Sequence, residues 1–143
     1  LYAAGMAGDR FAVRNSGADA VIEGCGDNGC EYMTGGSVVI LGAVGNNFGA
    51  GMTGGMAFAY DKEGTLPLRI NLDDVFYQQQ MTPYWEDVLY QKIKHYFNET
   101  NSQHAKEMLD NWEREKYLFW QIIPKEMVNK FEEPVLVETT KTA

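Results

Sequence analysis

Glycine is missing from the chain after Gly64, although all 15 of its glycines fall at or before that residue. Charge is short in the complementary part. The first 61 residues carry only eight charges: Asp9, Arg10, Arg14, Asp19, Glu23, Asp27, Glu31 and Asp61. Cysteine is scarce too, and the two present, Cys25 and Cys30, cannot build a disulfide framework. A structural zinc site normally takes four ligands, and iron–sulfur clusters need more thiolates than two. Basic residues number 12 against 20 acidic ones, a formal net charge of −8. That balance argues against binding a phosphate backbone or an anionic membrane, which both call for a positive surface. No apolar run approaches the roughly 18 residues of a membrane span, and no N-terminal targeting pattern is present. A reducing, cytoplasmic setting is expected. The opening "LYAAGMAG" lacks a Met and reads as cut from a longer chain.

What is present divides into three stretches: glycine-rich 1–61, a linker over 62–82, and a charged, aromatic, helical 83–143. The first stretch repeats itself. "YMTGGSVVIL" matches "GMTGGMAFAY" at an offset of 19, and a further step back reaches "VRNSGADAVI". Each copy pairs a small-residue turn with a short apolar run. Both glycine and β-branched residues disfavour helix, so these runs read as strands. A fixed period near 20 predicts stacked coils, hence a mainly β fold, a parallel β-helix solenoid of about 19 residues per coil. In the third stretch, Trp85, Val88, Leu89, Lys92, Ile93, Tyr96 and Phe97 share one helix face. Thr82 is the expected N-cap with Pro83 at the first helical position. Ser102 is expected to cap a second helix that faces Ala105, Met108, Leu109 and Trp112 inward. "YLFWQIIP" reads as extended and buried up to Pro124, "KEMVNKF" as a short helix, and "VETTKTA" as a fraying tail. The helices are expected to cover a face or an end of the solenoid.

Two stretches, "GCGDNG" and "GAGMTG", fit the G-x-G-x-x-G pattern of a dinucleotide loop. Such a loop must open a helix whose N-terminus holds the pyrophosphate, and here each is followed by a strand-like run. The glycines are therefore read as structural corners: Gly17, Gly24, Gly26, Gly29, Gly35, Gly36, Gly42, Gly45, Gly49, Gly51, Gly54 and Gly55. Asn28, Asn46 and Asn47 suit turns with left-handed backbone. Cys25 and Cys30 are read as buried corner residues. His104 is expected to be solvated and His95 to meet a carbonyl or carboxylate. Arg10 and Arg14 are expected to pair with Asp9, Asp27 or Glu31. Together with Asn15 they are the residues available for interdomain contacts. The aromatics Trp85, Tyr96, Phe97, Trp112, Phe119 and Trp120 read as core. No catalytic, cofactor-binding or metal-ligating residue is assigned.

"EGCGDNGCEYMTGG" with "NFGAGMTGG", continued by "HYFNETNSQHAKEMLDNW", resembles the C-terminal glycine-rich domain of the glutamate synthase large (alpha) subunit. The resemblance covers nearly the whole chain. It implies a right-handed β-helix, here lacking upstream coils, whose exposed coil edge would favour a homo-oligomer. It also implies that glutaminase and synthase domains of the same polypeptide are the partners. FMN and an iron–sulfur cluster are implied for the full enzyme, with no cofactor in this part. The implied role is structural, fixing the separation of two active sites. Other readings are a stand-alone β-helix interaction module, the glycine-rich subunit of formylmethanofuran dehydrogenase, and an independent dinucleotide-binding enzyme.

Overall fold

The computed structural model describes residues 7–70 and 73–136. The chain forms an open five-stranded sheet of order β1-β2-β3-β5-β4. Strands β1 (Ser16–Ile22), β2 (Thr34–Ile40) and β3 (Gly54–Tyr60) are the three apolar runs of the repeat. They pair in parallel, Val21 beside Val39 and Val39 beside Phe58. β5 (Phe119–Pro124) then adds antiparallel to β3, with β4 (Val75–Gln78) antiparallel on its far side.

This overturns the solenoid expectation. Only one strand forms per repeat, and the residues between strands make turns instead of further strand faces. The second edge of β3 goes to the antiparallel β5, so the parallel series stops at three and the sheet stays open. The expected linker supplies β4, and the helical stretch supplies β5.

Both faces of the sheet are covered, which explains why its strands read as near-continuous apolar runs. On one side Val39, Leu41, Met56, Phe58 and Tyr60 pack against the helices. On the other, Val38, Ile40, Ala57 and Ala59 pack against the turns through Cys30, Met33, Phe48 and Met52. Helix α1 (Pro83–Thr100) starts as the sequence predicts: the Thr82 hydroxyl accepts from Trp85 N at 3.4 Å, with Pro83 inside the first turn. It buries Leu89, Ile93 and Tyr96; taking each aliphatic side chain out of water contributes roughly 2 kcal/mol. Left-handed Asn101 (φ 56°) ends it, and Ser102 caps α2 (Gln103–Asp110) by accepting from Ala105 N at 3.2 Å. A short α3 (Trp112–Glu115) leads into β5. Tyr96 and Phe119 are fully buried, while Trp85, Phe97 and Trp112 lie half-buried against the same core. Trp120 packs on the opposite core. The short helix expected after Pro124 is a single 3-10 turn, Lys125–Met127. The expected fraying tail, 137–143, lies outside the described residues.

Candidate functional site

The turns between strands carry the glycine motifs, and they stack in three rows. In each row, alternate residues have positive φ. One column holds Arg10 (63°), Asn28 (60°) and Asn47 (59°). The next holds Ala12 (59°), Cys30 (58°) and Gly49 (79°), and the third Arg14 (58°), Tyr32 (56°) and Gly51 (65°). Left-handed backbone costs a residue with a Cβ about 1–2 kcal/mol, least for asparagine. The rows offset that cost by bonding to one another. Arg10 N donates to Asp27 O at 2.7 Å and Asn28 N to Asn46 O at 2.8 Å. Likewise Arg14 N donates to Glu31 O at 2.9 Å and Tyr32 N to Ala50 O at 2.8 Å. On the far side of the third row Phe48 N donates to Arg69 O at 3.0 Å, and the Asp74 carboxylate takes the bond from Gly51 N at 2.9 Å.

A side-chain ladder runs beside this stack. Asp9 Oδ1 accepts from Asp27 N at 2.9 Å, and Asp27 Oδ1 accepts from Asn46 N at 2.7 Å. The two carboxylates are thus engaged with backbone donors. The expected ion pairs of Arg10 and Arg14 are absent among the described residues; at the exposed positions both occupy, water solvates a guanidinium and an ion pair gains little. Asn15 closes the start of the first strand: its Nδ2 donates to Ala18 O at 2.8 Å and Gly35 O at 3.2 Å, and its Oδ1 accepts from Ala18 N at 3.1 Å. Arg10, Arg14 and Asn15 therefore lie together at the outer row, next to β1, which pairs only with β2 among the described residues.

The glycines divide by position. Gly24, Gly26, Gly29, Gly42, Gly45, Gly49 and Gly51 lie in the turns, whereas Gly17, Gly35, Gly36, Gly54 and Gly55 lie in the opening residues of the strands. That second group falls at the irregular part of the register, between Ser16 and Asp19 on β1 and between Thr34 and Ser37 on β2. Neither G-x-G-x-x-G stretch opens a helix: the first leads through a turn into β2, and the second runs directly into β3. The phosphate-cradle geometry is not built at either.

Opposite the rows, the helices are fastened to the sheet by a carboxylate that sequence reasoning did not single out. Glu23, just past β1, accepts at Oε2 from Tyr96 Oη at 2.7 Å and from Ser102 Oγ at 2.5 Å. One acidic side chain thus joins the strand end to α1 and to the cap of α2. Its only sequence signal was being one of few charges in an apolar segment. Nearby, His104 Nε2 lies 2.6 Å from Leu41 O. A carbonyl can only accept, so Nε2 carries the proton; His104 is exposed, as the sequence predicts, and its ring is anchored as well. His95 sits 3.9 Å from Glu99 on the exposed face of α1. Further along the sheet, Tyr60 Oη donates to Glu115 at 2.9 Å.

Burial, then the Glu23 hydrogen bond, pushes the Tyr96 hydroxyl from its usual 10 up to about 12. Burial and Glu115 do the same to Tyr60, also to about 12. The unfolded chain then loses these protons before the folded one does. The stabilisation is complete below pH 10 and is lost as pH rises through about 12. Urea midpoints measured across that interval are expected to fall steadily. Tyr96→Phe should cost about 1–2 kcal/mol at neutral pH and flatten part of the alkaline decline. An unchanged decline in the Tyr60→Phe, Tyr96→Phe double variant would refute this origin.

Cys25 and Cys30 are buried and unpaired with each other. Burial raises the Cys25 thiol to about 11 and pushes the Cys30 thiol up as well. Among the described residues no group of His, Cys, Asp and Glu could hold a metal ion, and no helix is long and apolar enough to cross a membrane.

Stacked left-handed turns beside a parallel ladder define a glycine-motif domain, and the comparisons place it. The family model described as the GXGXG motif matches residues 1–125, and the chain belongs to that family. It is 57% identical over 135 residues to the glutamate synthase [NADPH] large chain of Azospirillum brasilense, covering 94% of this chain and 9% of that relative. It is 49% identical over 124 residues to the ferredoxin-dependent glutamate synthase of Cyanidium caldarium, covering 87% and 8%. The chloroplastic/mitochondrial ferredoxin-dependent glutamate synthase 1 of Arabidopsis thaliana is 48% identical over a stretch of the same length. The resemblance to glutamate synthase large chains is borne out, and the chain spans less than a tenth of these relatives' length.

Proposed function

We propose that this chain is a structural, non-catalytic part of a glutamate synthase, which makes two glutamates from glutamine and 2-oxoglutarate. In this reading it holds the glutaminase and synthase domains of the same polypeptide in register. FMN and the iron–sulfur cluster belong to the rest of the enzyme. The observation that carries the reading is the double fastening of the sheet. Its turns are bonded row to row by backbone and Asp side chains, and its helices are tied down through Glu23. A sheet covered on both faces and bonded in this way suits a spacer between two reaction centres, because few of its parts can shift independently.

The test uses the full-length enzyme that contains this segment, with Glu23→Gln and Tyr96→Phe introduced together to loosen the helical layer. Three rates are compared: glutamine hydrolysis, ammonia-dependent glutamate formation and glutamine-dependent glutamate formation. The expected result is that the first two survive while the third falls and free ammonia escapes. Parallel loss of all three with normal folding, or loss of FMN, would mean that the segment acts at a reaction centre.

A further inference from the structure

A cavity of about 190 Å³ opens beyond the C-terminal ends of β2 and β3. Its inner wall is apolar, with Leu41, Val44 and Leu66 all buried. Its mouth carries Lys62, Arg69 and His104. Lys62 and Arg69 are exposed and make no ion pair among the described residues. His104 has Nε2 committed to Leu41 O, which fixes the ring at the rim.

Two acids also line the cavity, Asp61 and Glu63, so formal charges at the rim cancel. Their hydrogen-bonding capacity does not. Asp61 is buried, and its oxygens are already filled by Thr65 N, Leu66 N and Trp120 Nε1, each at 3.0 Å. It therefore shapes the loop and does not present a free acceptor to a ligand. Glu63 is exposed, as Lys62 and Arg69 are. The cationic donors lining the cavity are thus a guanidinium and an ammonium above an apolar floor. Arginine matches a planar carboxylate with two parallel N–H bonds, and lysine adds a mobile point charge. The volume admits only a short body.

We propose that this cavity binds a small aliphatic carboxylate, with Arg69 and Lys62 holding the carboxylate and Leu41, Val44 and Leu66 receiving the alkyl portion. The wider groove between α1, the end of α2 and α3 competes poorly as a carboxylate site, because four acids, Glu86, Asp87, Asp110 and Glu113, line it against Arg114.

The proposal is tested by titrating the 143-residue chain, labelled with ¹⁵N, with sodium butyrate. Inorganic phosphate and butylamine serve as comparison arms. Saturable shifts are expected at the amides of Gly42, Val44, Lys62, Arg69 and His104 with butyrate. Phosphate should bind more weakly, lacking an alkyl group for the floor, and butylamine should not saturate. Arg69→Gln should weaken butyrate by about tenfold or more, the scale of losing a hydrogen bond to a charged group. Lys62→Gln gives a second, independent reading from another exposed residue. Three outcomes overturn the proposal: no saturable shift, equal affinity for phosphate and butyrate, or binding unmoved in both variants.

Discussion

Gly36→Ala is expected to destabilise the fold by about 3 kcal/mol or more, while Gly17→Ala, its counterpart one repeat earlier, should change stability by less than about 0.5 kcal/mol. Gly36 has φ +83° and sits where β1 and β2 change register. A Cβ there would strike the Ala18 carbonyl oxygen and approach Asn15 Nδ2 at 2.8 Å and Ala18 N at 3.0 Å. Those are backbone atoms and a bonded amide, neither free to swing aside: Asn15 is already held by Ala18 and Gly35. The left-handed backbone alone costs about 1–2 kcal/mol, and the displaced pairing of two strands adds a term of comparable size. At Gly17 a Cβ meets nothing within 4 Å. Urea unfolding of both variants separates the cases, and equal midpoints would refute the account.

That contrast also marks how far the sequence could be read. Gly17, Gly36 and Gly55 occupy one phase of the repeat and are indistinguishable by spacing. What separates them is a positive φ at Gly36 and Gly55 and a strand on their preceding side, whereas among the described residues none precedes β1. The local features were legible: three apolar runs became the three parallel strands, and Thr82, Pro83 and Ser102 start helices as their chemistry dictates. Asn28 and Asn47 take left-handed backbone as expected and Asn46 does not, while the same conformation at Ala12, Cys30 and Tyr32 has no signature in the residue type. At Cys30 and Tyr32 it goes with backbone bonds to adjacent rows. The period was real, yet the solenoid inferred from it was not, because the period says nothing about how many strands each repeat makes. Nor does it say that β5, from far along the chain, will take the open edge of β3. Glu23 and Asp61 escaped notice for a related reason. Their side-chain partners Tyr96, Ser102 and Trp120 lie far away in sequence, and no local pattern announces those bonds.

Asp61→Ala is the second change with a large expected effect, again about 3 kcal/mol or more. The carboxylate is 7% exposed and ends β3 by receiving three donors. Removing it orphans the N–H of Leu66, a residue only 2% exposed, and the indole N–H of Trp120. Each unsatisfied buried donor costs about 1–3 kcal/mol. Thr65 is exposed and its N–H can turn to water. Asp61→Asn should therefore be much milder, about 1 kcal/mol. Its amide oxygen can still serve Leu66 and Trp120 while its NH₂ faces the Thr65 side. The Trp120 indole resonance reports the site directly, since that ring is also held by Tyr77 at 4.9 Å. It should shift strongly in the alanine variant and little in the asparagine one. Because the same carboxylate folds the 61–66 loop beneath Lys62 and Arg69, Asp61→Ala should also abolish saturable butyrate binding, whereas Asp61→Asn should retain it. Equal losses of stability in the two variants would mean that the charge itself, and not the set of three accepted bonds, maintains the loop.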